Sequence, residues 1–297
     1  MKILFDNVNP TSSSGPNSFA KRLMKELAKR NHHVSNNIEN PDVQLSFISF
    51  TSKKAPTALR LDGIYFNTRQ DWQRQNEPIK RSFASSDLVI YQTEFNRKLS
   101  EKYFGIAKNS VVISNGTSVE EISKIQPLRH PALDSFSEVW SCSSSWRPHK
   151  RLKENIRYFL EYSPSDSCMV IAGENPDFNV KHERIFYAGQ LPWEMCISLY
   201  KRSNVFVHLA FLDHCPNVVV DARASGCKIV VASSGGTKEI AGKDSTVIED
   251  VAWDMSPLDL YSPPVLDFDK ISRNEIDSSI DIVKVTDLYQ DNLMRIA

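Results

Sequence analysis

No hydrophobic run in this sequence approaches the ~20 residues that cross a bilayer; runs such as those at 218–220 and 229–232 are far shorter. The N-terminus, MKILFDNVNP, holds one Lys and an apolar stretch of only three residues. That is too short for a signal-peptide core and predicts a chain that stays in the cytoplasm. Cysteine spacing offers nothing to a metal. Cys142, Cys168, Cys196, Cys215 and Cys227 are odd in number, scattered and without a C-x-x-C pair, so neither a disulfide framework nor a zinc site is expected and the thiols read as structural. Net charge is missing too: 36 Lys plus Arg balance 36 Asp plus Glu, leaving no global field toward nucleic acid or an anionic bilayer. Only a local patch such as Lys98, Lys102 and Lys108 remains for that purpose. No G-x-G-x-x-G follows the first strand of either half, which argues against a nicotinamide-dependent dehydrogenase.

What is present describes a folded, two-domain chain. Its 297 residues exceed what one core usually organises, so two domains of roughly 130 to 150 residues are expected. Hydrophobic residues at 41% and charged residues at 24% are near globular averages and exclude disordered or collagen-like classes. Short apolar runs at 2–5, 43–48, 58–61, 88–91 and 111–113 predict buried strands, separated by polar or helical stretches. Between the first two, Phe19, Leu23 and Leu27 recur every four residues among Lys and Arg, the pattern of an amphipathic helix. The Pro-containing stretch 123–137 reads as a linker and divides the chain into residues 1–130 and 131–297. A second alternation follows: strands at 139–141, 168–172, 185–188, 205–209 and 228–232, helices at 150–160, 193–201 and 218–224. The fold class is therefore α/β with two parallel sheets. The Pro- and Asp-rich tail at 254–270 is expected to run over the surface before a last helix from about residue 274, which packs back on the first domain.

Three stretches carry chemistry. In DHCPNVVVDARASGCKIVVASSGGTKEI, residues 213–240, Asp213 and Asp221 lie eight positions apart, the first in a loop and the second on a predicted helix. A strand then leads to Gly235-Gly236-Thr237, where a glycine turn and a helix start can present backbone N–H groups to an anion. In SSSWRPHKRL, residues 143–152, Arg147, Lys150 and Arg151 bring three cations to a strand-to-helix turn. Cations oppose the dipole at a helix start, so an anion such as a diphosphate is the natural compensation. In the first domain, Ser14-Gly15-Pro16-Asn17 lies between strand and helix, and Arg60-Leu61-Asp62-Gly63 ends another strand at the expected cleft.

These motifs resemble retaining GT-B glycosyltransferases of family 4, glycosyl transferases group 1, strongly over 139–240 and loosely before 117. The match rests on the D-x7-D spacing in place of E-x7-E, the Cys-Pro-Asn between the acids, the A-x-G at 224–226 and the following GGT-x-E-I. The resemblance implies two Rossmann-like domains facing a cleft, with the donor held by the second and the acceptor mainly by the first. It implies that Asp213 holds the donor sugar and Asp221 the ribose, and that Arg147 and Lys150 take the diphosphate charge without a metal. Gly15, Asn17, Arg151, Asn217, Gly235, Gly236 and Thr237 complete the implied donor set. Asp62 stands where members have a sugar-contacting His, and either takes part of that role or caps a turn with Gly63. His149 and His214 adjoin the two clusters. The implied reaction transfers a hexose-type sugar from a UDP- or GDP-linked donor, with no further cofactor, to an unidentified hydroxyl of a glycan, lipid or small molecule. Two other readings stay open: transfer to hydroxymethylated DNA bases, and a degenerate module that binds a nucleotide sugar or glycan without transfer.

Overall fold

The computed structural model describes residues 1–12 and 14–297. Two sheets organise it. The first holds β1 (Lys2–Asp6), β2 (His33–Ser35), β3 (Val43–Phe47), β4 (Thr57–Leu61), β5 (Leu88–Tyr91) and β6 (Ser110–Val112) in the order β2-β1-β3-β4-β5-β6, all parallel. The second holds β7 (Glu138–Ser143), β8 (Ser167–Ala172), β9 (Ile185–Gly189), β10 (Val205–His208), β11 (Lys228–Ala232), β12 (Thr246–Ile248) and β13 (Ile271–Arg273), ordered β13-β12-β11-β10-β7-β8-β9. Only the edge pair β12–β13 is antiparallel. The central strands are buried throughout, because helices cover both faces of each sheet and leave no solvated side.

The helices are α1 (Gly15–Lys29), α2 (Trp72–Ser85), α3 (Glu94–Phe104), α4 (Val119–Lys124), α5 (Pro131–Asp134), α6 (Leu152–Tyr162), α7 (Trp193–Arg202), α8 (Asn217–Ala224), α9 (Thr237–Ala241) and α10 (Ile282–Ile296). In α1 the four-residue repeat does what its spacing predicts: Phe19, Leu23 and Leu27 are fully buried. Three expectations need correction. The stretch 123–137 is not bare linker but carries the end of α4 and the short α5. The helix expected at 150–160 begins at Leu152, because Arg151 turns left-handed (φ 53°) after a 3-10 turn at Pro148–Lys150. The last helix begins at Ile282 behind an Asp281 cap, since residues 271–273 are taken as an edge strand.

The tail runs over the surface as expected, but it is pinned there and half-buried. After β12 it crosses to the first sheet's side, where Trp253, Met255, Leu258 and Leu260 pack against the cluster containing Phe66 and Tyr91, and Thr68 N–H donates to Leu258 O at 2.9 Å. It returns to form β13 and crosses again. Residue 282 joins through Ile282 N–H to Thr117 O at 2.9 Å, and α10 lays Ile282, Val285, Tyr289 and Leu293 into the same core as Phe5, Phe19 and Val43. No helix among the described residues is long and apolar enough to cross a membrane.

Candidate functional site

In doubly wound sheets a ligand crevice forms outside the carboxyl ends of the strands, where successive connections leave in opposite directions. The second sheet has that point between β7 and β10: the chain runs β7-β8-β9 to one side and returns at β10 to build the other. The loops after these two strands hold Lys150 and Asp213. Lys150 Nζ donates to Asp213 Oδ2 at 2.5 Å, and His208 Nε2 lies 3.1 Å from the same oxygen. The backbone is held under strain on both sides of the pair, at Arg151 (φ 53°) and Leu212 (φ 55°). Bulky residues in this region cost of order 1–3 kcal/mol each and persist where the surroundings over-determine them.

Electrostatics assign the protonation states. Burial would push the Asp213 carboxyl up, but the Lys150 ammonium and the His208 hydrogen bond outweigh it and hold it well below the usual carboxylate range. Burial lowers His208 despite Asp213, so the neutral ring donates through Nε2. Burial likewise takes His149 down to about 3, aided by Lys150, and His214 down to about 4. The centre is thus one carboxylate, one ammonium and neutral imidazoles. Arg147 stands beside it, exposed; its carbonyl accepts from Lys150 N–H at 2.8 Å, while its guanidinium makes no hydrogen bond or ion pair among the described residues.

The two glycines sit under this centre for steric reasons. At Gly235 (φ 80°) a Cβ would lie 2.4 Å from Asp213 O, and at Gly236 2.1 Å from His214 O. The Gly236 N–H, expected to face an anion, donates instead to Asp213 O at 2.8 Å. Thr237, at the start of α9, is fully buried with no partner for its Oγ1. Their role in this state is to let one loop pass beneath the other.

Arg151 is a clear correction. Expected beside the diphosphate, it is 1% exposed, pairs bidentately with Asp250 at 2.7 and 3.2 Å, donates to Pro264 O and covers the Phe211 ring at 4.8 Å. A buried pair of this kind anchors the tail and leaves no charge for a ligand. Asp221, expected at the ribose, is also engaged. Its Oδ2 accepts from Arg22 of α1 at 2.8 Å and from Trp193 Nε1 at 3.0 Å, while Oδ1 is buried without a partner.

From the first domain, Asp62 accepts from buried Arg60 and from Gln92 Nε2 at 2.6 Å, so it belongs to a buried network and does not cap a turn with Gly63. Arg60 reaches on to Asn115 Oδ1 at 2.5 Å and Tyr289 Oη at 3.1 Å. Asn115 Nδ2 donates to Cys215 O and Asn217 Oδ1, both at 2.9 Å, and Asn217 Nδ2 donates to Gly15 O at 2.9 Å. Gly15 and Asn217 therefore meet across the cleft and bind each other, whereas Asn17 shapes its own loop by accepting from Asn9 N–H at 2.8 Å. His214 docks into the first domain through Asn96 Nδ2 at 3.2 Å. Glu239 does the same for a helix start: its two oxygens accept from Glu94 N–H at 2.7 Å and Phe95 N–H at 2.9 Å. Its removal leaves the first turn of α3 short of acceptors, and Glu239→Ala is expected to cost about 1–2 kcal/mol in urea unfolding. A loss below a tenth of that would show the cap to be replaced by water.

Residues 144–256 match the family model for glycosyl transferases group 1. That span contains Arg147, Lys150, Asp213, Asp221 and the glycine loop. The fold is that of solved GT-B glycosyltransferases. HepE of Anabaena, solved in complex with UDP-glucose, superposes with a TM-score of 0.69 at 13% identity over 99% of this chain and 100% of that one. AviGT4, involved in avilamycin A biosynthesis, gives 0.65 at 13% over 100% and 98%. Sucrose-phosphate synthase from Thermosynechococcus elongatus gives 0.64 at 12% over 84% and 86%. No curated protein matches the chain.

The sequence reading does not single out His208 at the centre or Arg22 beside Asp221. His208 carried a readable signal, since it ends a strand whose carboxyl edge faces the cleft. Arg22 carried none, being one cation among several on the polar face of α1.

Proposed function

We propose that this chain is a retaining, metal-independent glycosyltransferase of family 4, moving a hexose-type sugar from a nucleotide diphosphate donor to a hydroxyl acceptor. The observation that carries the reading is the Lys150–Asp213–His208 cluster at the switch point of the second sheet, with Arg147 free beside it. Lys150 and Arg147 supply the charge that a departing diphosphate needs, as fixed electrostatic stabilisers. In the reaction the bond from the anomeric carbon to the diphosphate oxygen breaks and a bond from the same carbon to the acceptor oxygen forms on the same face. The acceptor proton passes to the leaving diphosphate. Asp213 orients Lys150 in the free protein and is placed to accept a donor-sugar hydroxyl when the ammonium turns to phosphate. Its carboxylate stays ionised throughout, so it acts as an acceptor of hydrogen bonds and not as an acid.

UDP is the first base to test, because HepE was solved with UDP-glucose; GDP is the second. Transfer to DNA bases would need a basic face. The cationic stretch Lys21, Arg22, Lys25 and Lys29 on α1 has three of its members paired with Asp221, Glu121 and Glu26, so a hydroxyl of a glycan, lipid or small molecule is the preferred acceptor. A thermal-shift screen without added metal should show selective stabilisation by one nucleoside diphosphate, worth about 2.7 kcal/mol at a hundredfold excess over Kd. Arg147→Ala should weaken that stabilisation at least tenfold in Kd. No shift with any diphosphate at millimolar concentration would overturn the proposal, and binding without detectable donor hydrolysis would favour a non-catalytic module.

A further inference from the structure

The first sheet has its own switch point, between β1 and β3, since β2 and β3 lie on opposite sides of β1. A cavity of about 370 Å³ opens there, outside the strand ends. Its floor is apolar, from Phe5, Val8 and Ile48, and its polar rim is Asn7, Asn9 and Asn36 with Ser14 beside Asn17. No Lys, Arg, His, Asp or Glu lines it. Lys21, one turn of α1 beyond Asn17, is committed to Ser12 O at 3.0 Å, and the carboxylate of Asp6 is taken by Ser46 and Gln44.

The backbone is strained at this cavity as at the other switch point. Asn7 (φ 57°) and Ile48 (φ 70°) are both left-handed, and for a β-branched residue that conformation is a genuine outlier. The Asn7 amide holds the two strand ends together, donating to Phe47 O at 2.8 Å and Ser49 O at 3.3 Å. Its Oδ1 is left without a donor among the described residues, and Asn36 makes no hydrogen bond at all there. Asn9 spends its Oδ1 on Thr11 and keeps its NH₂ free among the described residues. The cavity thus presents unspent carbonyl acceptors and amide donors above an apolar floor.

We infer that this cavity is the acceptor site and that it takes an uncharged polyhydroxyl ring, a neutral sugar or glycoside, in preference to a phosphorylated or otherwise anionic acceptor. The inference rests on the glycosyltransferase reading for its word acceptor, but the binding chemistry stands on the cavity alone. A pyranose has what the lining asks for: hydroxyls that both donate and accept, and a C–H face that covers apolar side chains. An anion would enter a site with no cation to replace its water.

The test has two arms. In the first, saturation-transfer NMR on the donor-free protein is run with a panel of methyl glycopyranosides, maltose and lactose, against glucose 6-phosphate and glycerol 3-phosphate. At least one neutral ring should show millimolar binding and neither phosphate should. Asn36→Ala, on the exposed turn after β2, and Asn9→Ala should each weaken it about fivefold or more. In the second arm, transfer from the donor identified by thermal shift is followed with the neutral ring that binds. The same variants should raise KM for the acceptor while leaving donor KM and acceptor-free donor hydrolysis unchanged. Binding only of the phosphates, no glycoside binding, or an acceptor KM indifferent to both variants would overturn the inference. Glycoside binding that responds to the variants in a protein that binds no nucleotide would leave the cavity's chemistry standing and remove the transferase instead.

Discussion

Lys150→Ala is expected to lower turnover about 10²–10³-fold, the cost of removing one fixed group that stabilises developing negative charge, with a much smaller change in donor KM. The same variant should unfold more readily at neutral pH, because Asp213 is then left in a buried setting without its ammonium. Breaking one side of such a pair typically costs about 3–5 kcal/mol, less here to the extent that the pair keeps some exposure, at 18% and 15%. The pH dependence distinguishes the two effects. In the native protein Asp213 is held well below the ordinary range, so it contributes stability above the unfolded carboxyl pKa and loses it as pH falls through the lower folded value. Without Lys150, burial raises the same carboxyl, and its cost at neutral pH is relieved as pH falls. The stability gap between the two proteins should therefore narrow on acidification, as followed by urea unfolding at pH 7 and pH 5. A constant gap with full turnover would remove Lys150 from the centre.

Arg60→Met should be the most destabilising single change in the first domain, by about 3–5 kcal/mol. Arg60 is fully buried, with Phe19 and Phe47 rings 4.3 and 5.1 Å from its guanidinium, and it gathers Asp62, Asn115 and Tyr289 around one planar group. Asp62 is already raised by burial, against the pull of Arg60. Removing the cation strands that carboxylate, while Arg60→Met combined with Asp62→Leu should recover most of the loss, since a matched apolar replacement removes both desolvation costs. If the double variant is no more stable than the single one, the contacts to Asn115 and Tyr289 carry the energy instead.

How much of this was legible beforehand follows from the range of the signals. The strands and α1 were readable because burial and periodicity are local, and the span containing Lys150 and Asp213 because the D-x7-D spacing and the basic turn are short motifs. Partner choice was not. Arg147, Lys150 and Arg151 look alike in sequence, yet a left-handed turn at Arg151 sends it under Asp250, 99 residues away. Asp221 likewise meets Arg22 across 199 residues, and no spacing rule reaches that far. The short edge strands β12 and β13 and the docking points of the tail escaped for the same reason: Trp253, Leu258 and Leu260 are apolar without periodicity, and only the surface they cover gives them a place.

The helix α10 has a further consequence, for the order in which the protein comes into being. Its Tyr289 and Leu293 are fully buried among residues of β1, α1 and β3, so the core that β1 opens is closed by α10. During synthesis α1 is at hand for this face of the first sheet, but the part beside it, over β3 and β4, stays open until α10 has followed. The first half by itself lacks part of its core, and its packing is completed only when α10 docks.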